Sequence, residues 1–136
     1  MKISYLPALL LMTPALHAAP EAALPGVVKE AFDAYSHLPG VLVPIMQKAQ
    51  DTKSANACAT ELKQALIHVY NVREKLHNLP RLTPSQNQQV RQQYEQIMRK
   101  EWGRMYDEIS RLQGNRCFQS ADFAEVFRLL CMMIEK

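Results

Sequence analysis

The stretch TPSQNQQVRQQYEQIMRKEWGRMYDEISRLQG, residues 83–114, decides the fold because it predicts one long amphipathic helix. Its first residues are typical of a helix N-terminus. Thr83 can cap the helix, Pro84 suits the first helical position, and Gln86 completes a capping box. Gly114 stands where a helix commonly ends. Large apolar residues recur every three or four positions between these ends, which places them on one face: Tyr94, Met98, Trp102, Met105, Ile109 and Leu112.

Three other segments repeat apolar residues with the same helical period. No segment alternates with a period of two between turn signals, so we predict no sheet. The three stripes are Leu24, Val28, Ala31, Tyr35 and Leu38; then Cys58, Leu62, Ala65, Val69, Val72, Leu76 and Leu79; and finally Phe123, Phe127, Leu130 and Ile134.

The ends of these helices follow from local signals. Pro39 and Gly40 should end the first helix and leave residues 41–50 as a short second helix. Asp51 or Ser54 should start the third helix, and Ser120 should start the last. The short link at residues 79–82 predicts that the two long helices are antiparallel neighbours. The sequence therefore predicts an all-α, elongated up-down antiparallel helical bundle, with three principal helices and an N-terminal helical hairpin.

The composition is that of one globular domain. The chain has 136 residues, of which 48% are hydrophobic and 21% charged, and its formal net charge is +3. These values exclude strongly disordered and disulfide-dense classes. Acidic residues are interleaved with the basic ones, as in the i, i+4 pairs Glu95–Arg99 and Asp107–Arg111, so we expect no nucleic-acid partner.

The N-terminus predicts export. One lysine precedes an apolar run from Ile3 to Leu16, and small residues follow at 18 and 19. This order is typical of a secretory signal peptide, and the run is shorter than the roughly 20 residues that span a bilayer. We predict a signal peptide at residues 1–18, a single helical domain at 19–136 without a membrane span, and a periplasmic or extracellular location.

Export permits disulfide bonds, and the chain has three cysteines. With a rise of about 1.5 Å per residue, antiparallel helices bring Cys58 and Cys131 within about one turn of each other. We predict that these two form a disulfide and that Cys117 is free or bonds to another chain. Two alternatives stay open: a Cys58–Cys117 bond, or three reduced cysteines that pack in the core.

Residue spacing gives no support for catalysis. His68 and His77 are nine positions apart and face opposite sides of one helix. No pair of cysteine or histidine residues has the spacing of a zinc site, and the chain has no glycine-rich phosphate loop. We therefore expect no catalytic, metal or cofactor site, and a protein that is not an enzyme.

One helix flank is rich in amides. Neutral amides lose their hydration at a lower cost than charged groups, so this flank is a candidate contact face for an unknown protein partner or a second copy of the chain. The alternative is an ordinary solvated flank. The residues are Gln86, Gln89, Gln92, Gln93 and Gln96.

Two parts of the sequence resemble known groups of proteins. Leu82-Thr83-Pro84-Ser85-Gln86 resembles the LTxxQ motif of the Spy/CpxP periplasmic proteins, with Leu82, Thr83 and Gln86 at the motif positions. That resemblance implies an ATP-independent chaperone or an envelope-stress accessory protein.

The second resemblance covers more of the chain. Asp51, Ser54, Ala55 and Ala57, followed by Leu62-Lys63, Leu76, Leu79-Pro80 and residues 82–86, resemble a group of short, uncharacterised, exported bacterial helical proteins. This resemblance implies helical architecture and export. We expect a non-enzymatic helical protein that acts by protein–protein contact in the periplasm, with the Spy/CpxP-like role as the alternative.

Overall fold

Residues 23–135 fold into a bundle of four α-helices. The computed structural model describes residues 23–135, and the predicted signal peptide lies outside this range. The helices are α1 (Gly26–Gln47), α2 (Thr52–His77), α3 (Pro84–Gly114) and α4 (Ala121–Glu135). They pack against one another, and residues 23–135 contain no strand. The predicted all-α class and up-down bundle are confirmed.

Three helices begin where their caps predict. Thr83 and Gln86 form the capping box of α3. The backbone N–H of Gln86 donates to the Thr83 hydroxyl, and the backbone N–H of Thr83 donates to the side-chain carbonyl oxygen of Gln86. Asp51 caps α2 in the same way with Ser54. The amide of Phe123 donates to the Ser120 hydroxyl at 3.1 Å at the start of α4. Each cap satisfies amides that the helix itself leaves unpaired.

The predicted N-terminal hairpin is wrong, because α1 is one continuous helix through Pro39 and Pro44. Each proline removes a backbone hydrogen bond and costs about 3 kcal/mol or more. The segment nevertheless buries five large apolar side chains, each contributing about 1.5–3 kcal/mol. Packing in one continuous stripe outweighs the cost of the two prolines. The five residues are Leu38, Leu42, Val43, Ile45 and Met46.

The four helices alternate in direction, and α1 packs against both long helices. Ion pairs of 2.8 Å join Lys75 to Glu30 and Lys48 to Glu61, so α1 and α2 are antiparallel. The helices α2 and α3 are antiparallel, as predicted, but they do not pack directly on each other. The short link at residues 79–82 instead crosses the end of the bundle. The helix that packs along α2 on its other side is α4.

Aromatic residues hold α3 against α1. The rings of Tyr35 and Trp102 stack with their centroids 4.6 Å apart, and the Trp102 indole donates to the Tyr35 carbonyl at 3.1 Å. The Tyr94 hydroxyl donates to the Asp33 carboxylate at 2.6 Å. Tyr106 lies on the outer side of Trp102 and is half exposed. These contacts place Trp102 in the core, as the apolar stripe predicts, and Tyr106 at the surface.

A left-handed turn, Arg116–Gln119, joins α3 to α4. All four residues have positive φ values between 51° and 60°, although none is glycine. This conformation costs roughly 1–2 kcal/mol per residue. Contacts with the rest of the fold offset the cost: the Thr52 hydroxyl donates to the Phe118 carbonyl at 2.6 Å, and Cys117 is buried. The turn therefore fixes the start of α4 on the start of α2.

Candidate functional site

A surface groove runs between α2 and α4 and has a volume of about 430 Å³. This size lies within the range of ligand-binding clefts. We call it the α2–α4 groove. Its α2 wall consists of Asn56, Ala59, Thr60 and Lys63, and its α4 wall consists of Asp122, Glu125, Val126 and Leu129.

The two walls are held in a fixed register. The Ser120 hydroxyl donates to the side-chain carbonyl oxygen of Asn56, and it also caps α4. The Thr52–Phe118 hydrogen bond fixes the same end. Both contacts join the start of α2 to the start of α4, so the two helices run parallel away from the turn.

The walls carry opposite charges. Lys63 is the cation of the α2 wall, and Asp122 and Glu125 are the anions of the α4 wall. Glu125 pairs with Arg128 on its own helix at 2.9 Å, and both side chains are more than half exposed. Within residues 23–135, no ion pair includes Lys63 or Asp122. The groove therefore presents a cationic side and an anionic side to any occupant.

Large apolar side chains continue both walls beyond the charged end. Ile67 and Tyr70 follow Lys63 at helical spacings of four and three, and they are 65% and 53% exposed. Met132 follows Leu129 on α4 and is 43% exposed. Side chains at these spacings share a face of their helix, so the groove passes from a charged end to an apolar end.

Only part of the predicted amide-rich flank is accessible. The Gln86 side chain is engaged in the capping box, and Gln89 is buried. The contact face predicted for Gln86–Gln96 is therefore wrong for Gln89, which is not available to a partner. Gln92, Gln93 and Gln96 are exposed on α3, as the prediction requires. The LTxxQ-like residues have a local explanation, since Thr83 and Gln86 cap α3 and Leu82 packs against the core.

The three cysteines are free thiols in this structure, which does not support the predicted Cys58–Cys131 disulfide. Cys58 and Cys117 are buried, and burial raises the pKa of both thiols. Burial also raises the pKa of Cys131 to about 11, with smaller contributions from Glu135 and Cys117. Thiols with raised pKa values are weak nucleophiles at neutral pH.

Within residues 23–135, no three histidine, cysteine, aspartate or glutamate side chains are grouped so that they could hold a metal ion. None of the helices in this range is both long enough and apolar enough to cross a membrane. The α2–α4 groove combines a cavity with two charged side chains, Lys63 and Asp122, that form no ion pair within residues 23–135.

Comparison of the chain with protein-family models, curated proteins and solved structures finds no match.

The sequence of α2 carries one signal for the groove, which lies outside the buried stripe of this helix. Ile67 and Tyr70 are large apolar residues that fall outside the buried stripe of α2, which runs through Ala65, Val69 and Val72. Neighbouring exposed apolar residues that form a patch off the core face of an amphipathic helix mark a candidate contact surface. Pairing them with α4 required knowledge of the tertiary fold.

Proposed function

We propose that the protein is exported and acts without catalysis, by holding a segment of a protein chain in the α2–α4 groove. One observation carries this proposal: the exposed apolar residues Ile67, Tyr70 and Met132 continue the two groove walls beyond the lining residue Leu129. A continuous apolar strip with a polar end is a feature of grooves that bind amphipathic helices.

The gain in free energy comes from the apolar end of the groove. Complete burial of a side chain such as isoleucine contributes about 1.5–3 kcal/mol. Ile67 keeps 65% of its surface exposed, so a partner can still gain most of that free energy by covering it. Met132 adds a flexible, polarisable side chain that adapts to the shape of a partner.

Photo-crosslinking tests this proposal in cells that make the protein. A benzoylphenylalanine probe replaces Ile67 in the groove, and the matched control places it at Ile97, which is 47% exposed on α3. We expect a discrete protein adduct from position 67 and none from position 97. The substitution Met132→Glu on the opposite wall should abolish the adduct. An adduct that forms equally at both positions, or that survives Met132→Glu, contradicts the proposal.

A second candidate function is a Spy/CpxP-like, ATP-independent chaperone, which the exposed apolar strip also favours. In this case the groove holds many unfolded clients weakly. The purified protein should then suppress the aggregation of reduced α-lactalbumin without ATP. Ile67→Glu should remove this activity, whereas Ile97→Glu should preserve it. Failure to suppress aggregation in the unsubstituted protein excludes this candidate and leaves the specific-partner proposal intact.

A further inference from the structure

We propose that the segment held in the α2–α4 groove belongs to a second copy of this chain, so that two copies pair through their groove walls. The inference rests on the proposed function, because it names the partner of the same groove. Its basis is charge: the cationic α2 wall of one copy is complementary to the anionic α4 wall of the other copy, whereas two α2 walls or two α4 walls carry like charges.

Charge complementarity is the first step. The α2 wall offers Lys63, and the α4 wall offers Asp122 and Glu125. Within one copy these charges remain apart, since no ion pair joins Lys63 to either carboxylate. A second copy that lays its α2 wall on the first copy's α4 wall brings opposite charges together. Two-fold symmetry then forms the same contact twice.

The register of the helices makes this contact feasible. The Thr52–Phe118 and Asn56–Ser120 hydrogen bonds place each residue of α2 level with the residue about 65 positions later in α4. A two-fold axis parallel to the helices preserves these levels between copies. Ile67 of one copy then lies opposite Met132 of the other, where both side chains are exposed.

Lys63 reaches the anionic wall in the same arrangement. Its own level on α4 is near residue 128, which is three residues, or about 4.5 Å of helix rise, beyond Glu125. The flexible four-carbon stem of lysine is long enough to cover this offset, so the ammonium group can reach the Glu125 carboxylate. The Glu125 side chain is 63% exposed and is available to a second cation besides Arg128.

The charges also select the orientation of the second copy. A two-fold axis perpendicular to the helices would lay α2 on α2 and α4 on α4. Lys63 would then face the α2 wall of its partner, and the carboxylates of the two α4 walls would face each other. Like charges across an interface are unfavourable, so the parallel arrangement is favoured.

Two opposite charge substitutions test the pairing. In Lys63→Glu, both inter-copy pairs become Glu–Glu, and in Glu125→Lys both become Lys–Lys. Each variant alone should dimerise roughly tenfold more weakly than the unsubstituted protein. An equimolar mixture of the two variants restores opposite charges in both pairs, so it should form a mixed dimer with nearly the original affinity.

Sedimentation velocity of the mature protein measures the dimer, with reductant present so that Cys117 cannot link two chains. Circular dichroism establishes that each variant keeps its helical content. Ile97→Glu is the control on α3 and should leave dimerisation unchanged. Weakened single variants together with a restored mixture support the inference.

Two outcomes overturn it. The first is a dimer whose affinity is the same in both variants and in their mixture. The second is an unsubstituted protein that stays monomeric up to its solubility limit. If that monomer still gives the Met132-dependent adduct from position 67, the partner is a different chain and the proposed function stands. If the adduct is absent as well, both the inference and the proposed function fail.

Discussion

Arg111 connects three parts of the bundle through one side chain. Its guanidinium donates to the carbonyls of Met46 and Ala49, both at 2.9 Å, at the C-terminal end of α1. It also pairs with Glu108 at 2.9 Å, whereas the i, i+4 spacing had indicated Asp107. The same group lies 5.8 Å from the centre of the Phe118 ring in the left-handed turn. A cation here donates to backbone carbonyls at and just beyond the end of α1 and complements the helix dipole.

We predict that Arg111→Ala lowers the free energy of unfolding by about 2–3 kcal/mol, because hydrogen bonds from a charged donor contribute about 1.5–3 kcal/mol. Arg111→Lys should recover part of this loss, since lysine cannot donate to two carbonyls in a fixed fork. Urea denaturation measures both. The control is Arg99→Ala, because Arg99 pairs with Glu95 but is 78% exposed. That control should change stability by less than about 0.5 kcal/mol, and an equal loss in both alanine variants would contradict the prediction.

At the scale of the helices, the sequence predicts helix starts better than helix continuity. The caps at Asp51, Thr83 and Ser120 are local, since each acts on amides within three residues of itself. The continuity of α1 is not local. Pro39 and Pro44 signal a break, but the free energy that opposes the break comes from burying residues such as Leu42 against other helices. A signal of that kind requires the tertiary fold.

A glycine substitution should stabilise the protein in the left-handed turn and destabilise it in the helix α3. Gln119 has a φ of 60° and is exposed, so replacing it by glycine removes a steric cost without removing packing. We predict that Gln119→Gly raises the free energy of unfolding by about 1 kcal/mol. The matched control is Gln113→Gly, which places the same change in the right-handed helix α3. It should lower the free energy of unfolding by about 1 kcal/mol.

Thermal or urea denaturation of the two variants measures both signs. Destabilisation in both would show that the left-handed conformation of residue 119 carries no steric cost. Stabilisation of Gln119→Gly alone would confirm that the fold imposes this conformation on an unfavourable sequence. The cost is then met by contacts such as the Thr52–Phe118 hydrogen bond.

The groove belongs to the whole molecule, which explains why the sequence did not predict it. Lys63 and Glu125 lie in separate helices, and their relation depends on α2 and α4 running parallel. Each buried stripe was predictable because its residues are neighbours on one helix. The predicted contact face on α3 illustrates the limit, since Gln89 belongs to the amide-rich pattern but is buried. Helical periodicity identifies the faces of one helix, whereas tertiary packing decides which faces remain open.

The stability of the whole bundle should fall as the pH rises above about 9 in the reduced protein. The Cys131 thiol has an ordinary pKa of 9.0, which the fold raises to about 11 mainly by burial. Between these values the thiol ionises in the unfolded chain but stays protonated in the folded one, so ionisation favours unfolding. Burial raises the pKa of Tyr35, and burial with the Asp33 hydrogen bond raises that of Tyr94, which extends the loss to higher pH. Urea midpoints measured from pH 7 to 11 should therefore decrease from about pH 9. Cys131→Ser removes one titrating group and should make the decrease shallower between pH 9 and 11. A midpoint that stays constant across this range, or an equally steep decrease in Cys131→Ser, would show that the thiol ionises as readily in the fold as in the unfolded chain.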